Sequence, residues 1–502
     1  MLFRSAELQK NHLVKLALPF LSSLDQGPVY LVGGSIRDAI LGIPLHDLDF
    51  IIAGDVFSAA RKLADHIHGA FYILDKERRY ARVIILDEKG ERFYFDFAPI
   101  FQNDLEFDLR SRDFTINAIA WDITSSDDTL IDPCCGVSDL EQKVLRPCSP
   151  AAFLDDPARV IRSVRFAVGY GLEIPAQVKE LIKNAVPELE QVSAERKRDE
   201  LFKILENNRV SQAMEMLREL GILNSLLPEA ATLIGFSQSA PHQLDGWQHT
   251  LAAVTYCEAM ADCVEGTVNS TEFPQLLQDV VQLINERKTD LLTVFTAGHV
   301  LERSQRALFL LAALNHDIGK PMDTEVILDG RKKYPHHAGL GAEVMAKRAR
   351  DLALSRKEVQ WLERFVASHM LLHEIDLTGD TIEQNRQIFR FFNQAGQTSP
   401  FTALFSLADL LATYGVTISA QRWHLGLERC RLVLESWFDH YEILVNPQPF
   451  LNGDDLQLQF GMSPGKQMGI IIENMCEEQA AGVIRSRADA EKWVKIFLEK
   501  KE

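Results

Sequence analysis

The stretch Leu31–Phe50, LVGGSIRDAILGIPLHDLDF, decides how the rest of this chain is read. An apolar run, Val29–Val32, leads into Gly33-Gly34 and then into the helical pattern SIRDAILG, which is the order strand, tight turn, helix. Glycine lets the backbone approach a phosphate closely, and a helix N-terminus favours negative charge. Alone, Gly-Gly after a strand is also an ordinary turn. The next element adds chemistry. In HDLDFII, Asp47 and Asp49 stand two apart on an extended run, so their carboxylates leave one face. Like charges that close repel, and a strand tolerates them mainly when cations sit between them. Such a pair suits two metal ions and in-line phosphoryl transfer.

Outward from there, a helix is predicted over Asp55–His68 and extended runs over Ala70–Leu74, Ala81–Leu86 and Arg92–Ala98, the last two joined by a turn at Asp87-Glu88-Lys89-Gly90. Asp96 lies between Phe95 and Phe97. It is either an outward-facing strand carboxylate or the third member of a triad with Asp47 and Asp49 that polarises an attacking hydroxyl. On a helix beginning near Asp156, Arg159, Arg162 and Arg165 form a basic stripe beside Val160, Val164 and Val168. The stripe reads as a solvated face. An acid followed by a fork-shaped arginine also reads the Watson–Crick edge of a base.

At 502 residues the chain holds several domains. No apolar run approaches the ~20 residues of a membrane span, and MLFRSAELQKNHLVKLALPFLSSL reads as an amphipathic helix rather than a signal peptide. Seven cysteines without Cys-x-x-Cys spacing suggest reduced thiols in a cytoplasmic protein. A net charge of −18 argues against indiscriminate nucleic-acid binding but leaves room for a local basic groove.

LVGGSIRD, HDLDF, SRDFTINAIAWD, IDPCCGVSDLEQKVLR, DDPARVIRSVRFA and AERKRDELFKIL occur in an order that resembles the class II tRNA nucleotidyltransferase and bacterial poly(A) polymerase family, within the polymerase-β superfamily. The resemblance covers roughly residues 28–205. It implies an α+β architecture, with a small mixed-sheet catalytic head followed by all-α neck, body and tail. It also implies that Asp47 and Asp49 bind catalytic Mg2+, and that Gly33, Gly34 and Arg37 meet the nucleotide. Arg112 and Asp113 would serve ribose and phosphate, Asp156 with Arg159 would template the base, and Arg162 and Arg165 would support the phosphates. The implied partners are tRNA, ATP and CTP. One departure stands out: Ser111 precedes Arg112-Asp113 where the family has a further arginine, and Arg110 is one position out of register. Within the class, the same residues suit addition of CCA, of CC only, of A only, or of a poly(A) tail.

A second constellation follows. His249, His316-Asp317 at the end of the apolar run ALFLLAAL, His336-His337, His369 and Asp409 are spread over a helical series. Histidines and carboxylates converging from several helices suit a divalent transition metal. The order resembles the HD phosphohydrolase domain, with His249, His316, Asp317 and Asp409 as core ligands and His337 and His369 as additional ones. Lys320 either steadies a phosphate or caps the helix end. A catalytically idle metal module is the other reading of this cluster. Two further alternatives for the chain are an HD hydrolase whose head only binds tRNA, and a tRNA-binding protein without catalysis. The expected division is 1–145 head, 146–240 neck and body, 241–415 HD-like domain and 416–502 tail, with 265–300 as a weakly patterned excursion. The sequence leaves the oligomeric state open.

Overall fold

The apolar runs of the first third become strands β1 (Val29–Val32), β2 (Asp47–Ile52), β3 (Ala70–Asp75), β4 (Tyr80–Leu86), β5 (Arg92–Pro99), β6 (Ala120–Asp122) and β7 (Leu130–Ile131). They are seen in a computed structural model that describes residues 8–24, 27–87, 90–125, 129–268, 274–296, 303–328 and 331–499. Residues 88–89 of the predicted turn between β4 and β5 lie outside these. The strands form one mixed sheet in the order β3-β4-β5-β2-β1-β6-β7. Every neighbouring pair is antiparallel except β2 and β5, which run parallel with Asp49 opposite Asp96 and Phe50 opposite Phe97.

Alternation along β2 explains the layering. Leu48, Phe50 and Ile52 are buried on one face. Helix α1 (Gly34–Ile40) follows the glycine turn, and helix α2 (Val56–Ile67) packs on β4 and β5. Asp55 caps α2 by accepting from the Phe57 and Ser58 amides, and His68 ends it in the left-handed region. On the other face, Asp47 and Asp49 are followed by Ile51, which joins a core of Val32, Ile100, Leu109, Ala118 and Ala120. Helix α3 (Ala158–Tyr170) begins after Pro157 and stops at Gly171, as proline and glycine at those places favour.

The chain divides into two units. One runs to Ser193 and takes in Glu219–Ile222; the other comprises Ala194–Arg218 and the chain from Leu223 onward. The second unit centres on α4 (Gly246–Glu265), α5 (Gln305–Leu314), α6 (His337–Asp351), α7 (Arg356–Ser368) and α8 (Ser399–Tyr414). All ten residues of α5 are buried, so its apolar sequence is that of a central helix. Two features differ from the sequence reading. The stretch expected to be weakly patterned holds helices Gln275–Glu286 and Lys288–Thr296. Leu277, Val280, Val281 and Ile284 supply the buried helical stripe of the first. The region expected to be all-α also contains a hairpin, β8 (Val326–Leu328) with β9 (Arg331–Lys333), whose strands are exposed throughout. Near the C-terminus, Leu451, Leu456, Met468, Ile471, Met475, Ile484, Ala490 and Val494 form a separate small core. Among the described residues no helix is long and apolar enough to cross a membrane, and none of the seven cysteines is paired.

Candidate functional site

β1 delivers the chain to Gly33, whose φ of 70° belongs to the region that favours glycine. A side chain there would also press on the Arg112 guanidinium, 3.0 Å from a Cβ. Gly34 starts α1. The buried Ser35 hydroxyl then links α1 to β2, donating to the Asp47 carbonyl at 3.1 Å and accepting from the Asp49 amide at 3.3 Å. This bond fixes the strand end that carries the two carboxylates. Parallel pairing sets Asp96 beside Asp49 on the face shared with Asp47. Burial, then the Asp96 charge, raises Asp49 to about 6 against the pull of Arg112 and Arg37. Burial and Asp96 also raise Asp47. Asp47 and Asp49, both raised, with the Asp96 carboxylate alongside, form a site that a cation stabilises. The triad expected from sequence is thus assembled, with one addition. Arg82 on β4 grips both oxygens of Asp96 at 2.7 Å.

The basic groups form a connected framework around Asn117. Its side-chain oxygen accepts from Arg37 Nη1 at 2.6 Å, and its amide donates to Asp113 at 3.0 Å. Asp113 in turn accepts from Arg162 at 3.1 Å, so α1 and α3 are tied through one asparagine. Arg37 is buried, paired with Asp38, and stacked on Phe166 and Tyr170. Its Nε and both terminal nitrogens are hydrogen-bonded within the fold, which makes it a brace for α3. Arg112 bonds Asp108 at 3.1 Å and the Asn117 carbonyl. Arg159 stands 3.8 Å from Asp156 at the start of α3 and donates to the Ser111 and Ala152 carbonyls. Ser111 therefore serves Arg159 through its backbone. Arg110 does not replace the family's missing arginine, because it turns to Glu106. Arg165 lies over the Phe166 ring.

In the second unit the predicted residues converge. His249 Nε2 lies 3.1 Å from Asp409 Oδ1 and 3.7 Å from Asp317 Oδ2, while His316 Nε2 lies 3.1 Å from Asp317 Oδ2. The other Asp317 oxygen faces His337 at 3.5 Å and His369 at 3.9 Å. One carboxylate thus joins two groups able to hold a metal ion: His249, His316 and Asp409 on one side, and His337 and His369 with Asp317 on the other. His336 lies outside both, as the cap residue of α6. His316, His337 and His369 each direct Nδ1 at a backbone carbonyl three residues earlier, at 2.8, 2.5 and 2.7 Å. A carbonyl only accepts, so those nitrogens carry the hydrogen and Nε2 is left as a lone pair. His337 and His369 nonetheless face each other Nε2 to Nε2 at 3.2 Å. His249 Nε2 and His316 Nε2 are buried without a hydrogen-bond partner. Orphaned ligand atoms of this type fit a divalent metal. Burial works against charge on Asp317 and Asp409, but the neighbouring histidines outweigh it and both carboxyls lie below their usual range. Close packing holds the arrangement: a Cβ on Gly319 would fall 2.0 Å from the His337 carbonyl.

Residues 29–146 match the family model of the poly A polymerase head domain. Residues 171–234 match the model for the probable RNA and SrmB-binding site of polymerase A. Over most of its length the chain is similar to a CC-adding tRNA nucleotidyltransferase of Geobacter sulfurreducens, 28% identical over 93% of this chain and 91% of the relative. It is also similar to an A-adding tRNA nucleotidyltransferase of Deinococcus radiodurans, 29% identical over 93% and 95%. A solved CCA-adding enzyme in complex with ATP shares the fold, with a TM-score of 0.58 and 21% identity over 97% of this chain and 95% of that one.

Several residues around the carboxylate triad and the buried cluster escape sequence reasoning. Arg82 reads as one more polar strand position until β4 is paired with β5. Ser35 and Asn117 look like ordinary helix and turn residues. His373, whose Nε2 is 4.0 Å from Asp409, and His242, stacked edge-on against His249, sit in stretches with no distinguishing spacing.

Proposed function

We propose that this chain is a template-independent tRNA nucleotidyltransferase that transfers CMP and AMP from CTP and ATP to the tRNA 3′ end with loss of pyrophosphate. The observation that carries the proposal is the parallel β2–β5 register, which gathers Asp47, Asp49 and Asp96 beside the Gly33-Gly34 turn. The near full-length likeness to both CC-adding and A-adding relatives supports it. Asp47 and Asp49, with Asp96 alongside, would hold Mg2+. When bound there, Mg2+ supplies a lowered pKa for the attacking 3′-hydroxyl and charge compensation at the leaving pyrophosphate. The Gly34 amide and the start of α1 would face triphosphate oxygens, while the Gly33 amide donates to the Ile119 carbonyl and shapes the turn. Arg112 and Asp113 bind ribose and phosphate, Asp156 and Arg159 select the base, and Arg162 and Arg165 back the phosphates. Arg37 acts mainly by positioning α3. A tRNA substrate places the reaction in the cytoplasm.

The test supplies purified protein with tRNAs ending before C74, after C75 and after A76, with labelled CTP and ATP separately. Incorporation of C and then A, stopping at A76, is expected. C alone, A alone, or continued A addition assigns the chain to the corresponding narrower activity. Persistent incorporation by Asp47→Asn/Asp49→Asn protein removes the proposal altogether.

A second activity is favoured by the orphaned Nε2 atoms of His249 and His316 beside Asp317 and Asp409. We read them as a metal-dependent phosphohydrolase site of the HD type, with His249, His316, Asp317 and Asp409 as core ligands and His337 and His369 completing the second group. Metal-dependent phosphate release from cyclic or terminal nucleotides, lost in His316→Ala, tests this. Metal uptake without any release leaves an idle metal module.

A further inference from the structure

Three polar side chains crowd the Asp317 cluster without belonging to either ligand group. The buried Lys320 donates to Asp317 Oδ2 at 2.6 Å and to Gln238 Oε1 at 2.7 Å. An ammonium only donates, so the Gln238 amide oxygen must face it and the NH2 must turn away. That nitrogen, Nε2, is buried and has no hydrogen-bond partner. His242 stands edge-on to His249 with ring centres 4.9 Å apart, and its buried Nδ1 is also unpartnered.

The segment carrying Gln238 and His242 is held in place. The Gly246 amide donates to the Phe236 carbonyl at 2.9 Å, and the Asp245 carboxylate accepts from the Gly235 and Gln248 amides at 3.1 and 2.8 Å. The Ser239 hydroxyl donates to the Lys332 carbonyl at 3.1 Å and accepts from its amide at 2.9 Å, fastening the segment to β9. A pinned loop that leaves buried donors unmet loses more than an ordinary hydrogen bond returns, unless an acceptor arrives.

We infer that Lys320, Gln238 and His242 form an oxyanion subsite that holds the non-bridging oxygens of a phosphoryl group lying beside Asp317. The inference rests on the phosphohydrolase reading of the cluster and adds to it the groups that orient the substrate. An amide NH2, an imidazole N–H and an ammonium offer donors, and phosphoryl oxygens accept without donating when ionised. Gln238 and His242 act as positioning residues, not as metal ligands.

The test is calorimetric titration of the full chain, Mn2+-loaded and metal-free, with inorganic phosphate, alongside metal content by mass spectrometry and nucleotide incorporation by the head as a folding control. Gln238→Leu removes both amide groups. Gln238→Glu keeps an oxygen for Lys320 while replacing the NH2 with a repelling one. Each is expected to weaken phosphate binding by about tenfold or more, the loss of a charge-assisted hydrogen bond, with metal content and head activity unchanged. His242→Phe is expected to act in the same direction. Unchanged phosphate affinity in the Gln238 variants at unchanged metal content overturns the subsite. So does an absence of phosphate binding by wild-type protein in both states. Phosphate binding that depends on Gln238 in a protein that takes up no metal keeps the subsite and removes the hydrolase reading.

Discussion

Asp47, Asp49 and Asp96 line a half-open strand face, whereas His249, His316, Asp317, His337, His369 and Asp409 are enclosed among helices. Both regions gather metal-ligand chemistry, and they handle its charge in opposite ways. In the head burial, and after it repulsion from Asp96, raises Asp49 to about 6. Among the described residues Arg82 forms an ion pair with the triad, on Asp96. In the buried cluster each carboxylate has imidazoles against it, and Asp317 also has Lys320, so the acids are held below their usual range. The first site is an anionic surface that gains from any cation arriving with a nucleotide. The second balances its acids internally, and a metal entering it must displace contacts such as Lys320 on Asp317.

That contrast can be broken most forcefully by crossing the two knockouts. Asp47→Asn/Asp49→Asn should lower nucleotide incorporation by a factor on the order of 10³ or more, as loss of a metal site does, while leaving the metal content of the buried cluster intact. His316→Ala should empty that cluster and leave incorporation in place. Loss of both properties in either variant would mean that the regions are not separable.

Asp409→Asn removes the acid against His249 and should destabilise the metal-free protein by about 3–5 kcal/mol near pH 7, the cost of breaking a buried pair. Its carboxyl is lowered in the folded state. The stabilisation is therefore present above the ordinary carboxylate pKa and disappears as pH falls through the folded value. Chemical denaturation of wild-type and variant proteins across pH reads this out.

Gly319→Ala forces a Cβ into the His337 carbonyl. It should cost about 1–3 kcal/mol through overpacking and reduce metal retention, seen as a lower melting temperature and a lower metal content.

Asp49→Asn should do the reverse of Asp409→Asn, stabilising the metal-free protein by on the order of 1–3 kcal/mol above pH 6. Because Asp49 is raised from 3.8 to about 6, its carboxyl favours the fold at low pH and loses that advantage as pH rises through about 6. Asp49→Asn and wild type should thus converge near pH 4 in denaturation experiments. The smallest effect is expected from Arg82→Met. Freed from its guanidinium, the Asp96 group should bind Mg2+ a few-fold more tightly, visible as a lower Mg2+ midpoint for incorporation.

The legibility of the two regions also differs, for a physical reason. In the head, a turn and an alternating strand are local patterns. Gly33, Asp47 and Asp49 announce themselves within twenty residues, and the strands β3–β5 follow from their own apolar alternation. What was not legible depends on register: whether Asp96 met Asp49 or pointed to solvent required the pairing of β5 with β2, and Arg82 had no visible partner until β4 joined them. Asn117 was read as part of a motif, but its bridging of Arg37 and Asp113 is a three-body arrangement that no spacing encodes. The buried cluster is traceable because a His-Asp pair ending the apolar run ALFLLAAL is costly without partners. Gln238 and His242 gave no such signal. A loop supplies them, and loop residues carry no periodicity. The helices within 265–300 were underestimated because their apolar stripes are short.

The single parallel pair in an otherwise antiparallel sheet has a kinetic side. β1 and β2 can meet across the short connection that holds α1, and β3, β4 and β5 can zip as a meander. Neither event brings Asp96 to Asp49. That requires β5 to cross back and dock on β2, a non-local closure of the sort that slows folding. The mutually repelling acids therefore come together late, once most of the sheet exists to hold them. Amides of β2 that bond β5 should gain hydrogen-exchange protection after those of the β4–β5 meander, and Mg2+ present during refolding should speed that last step.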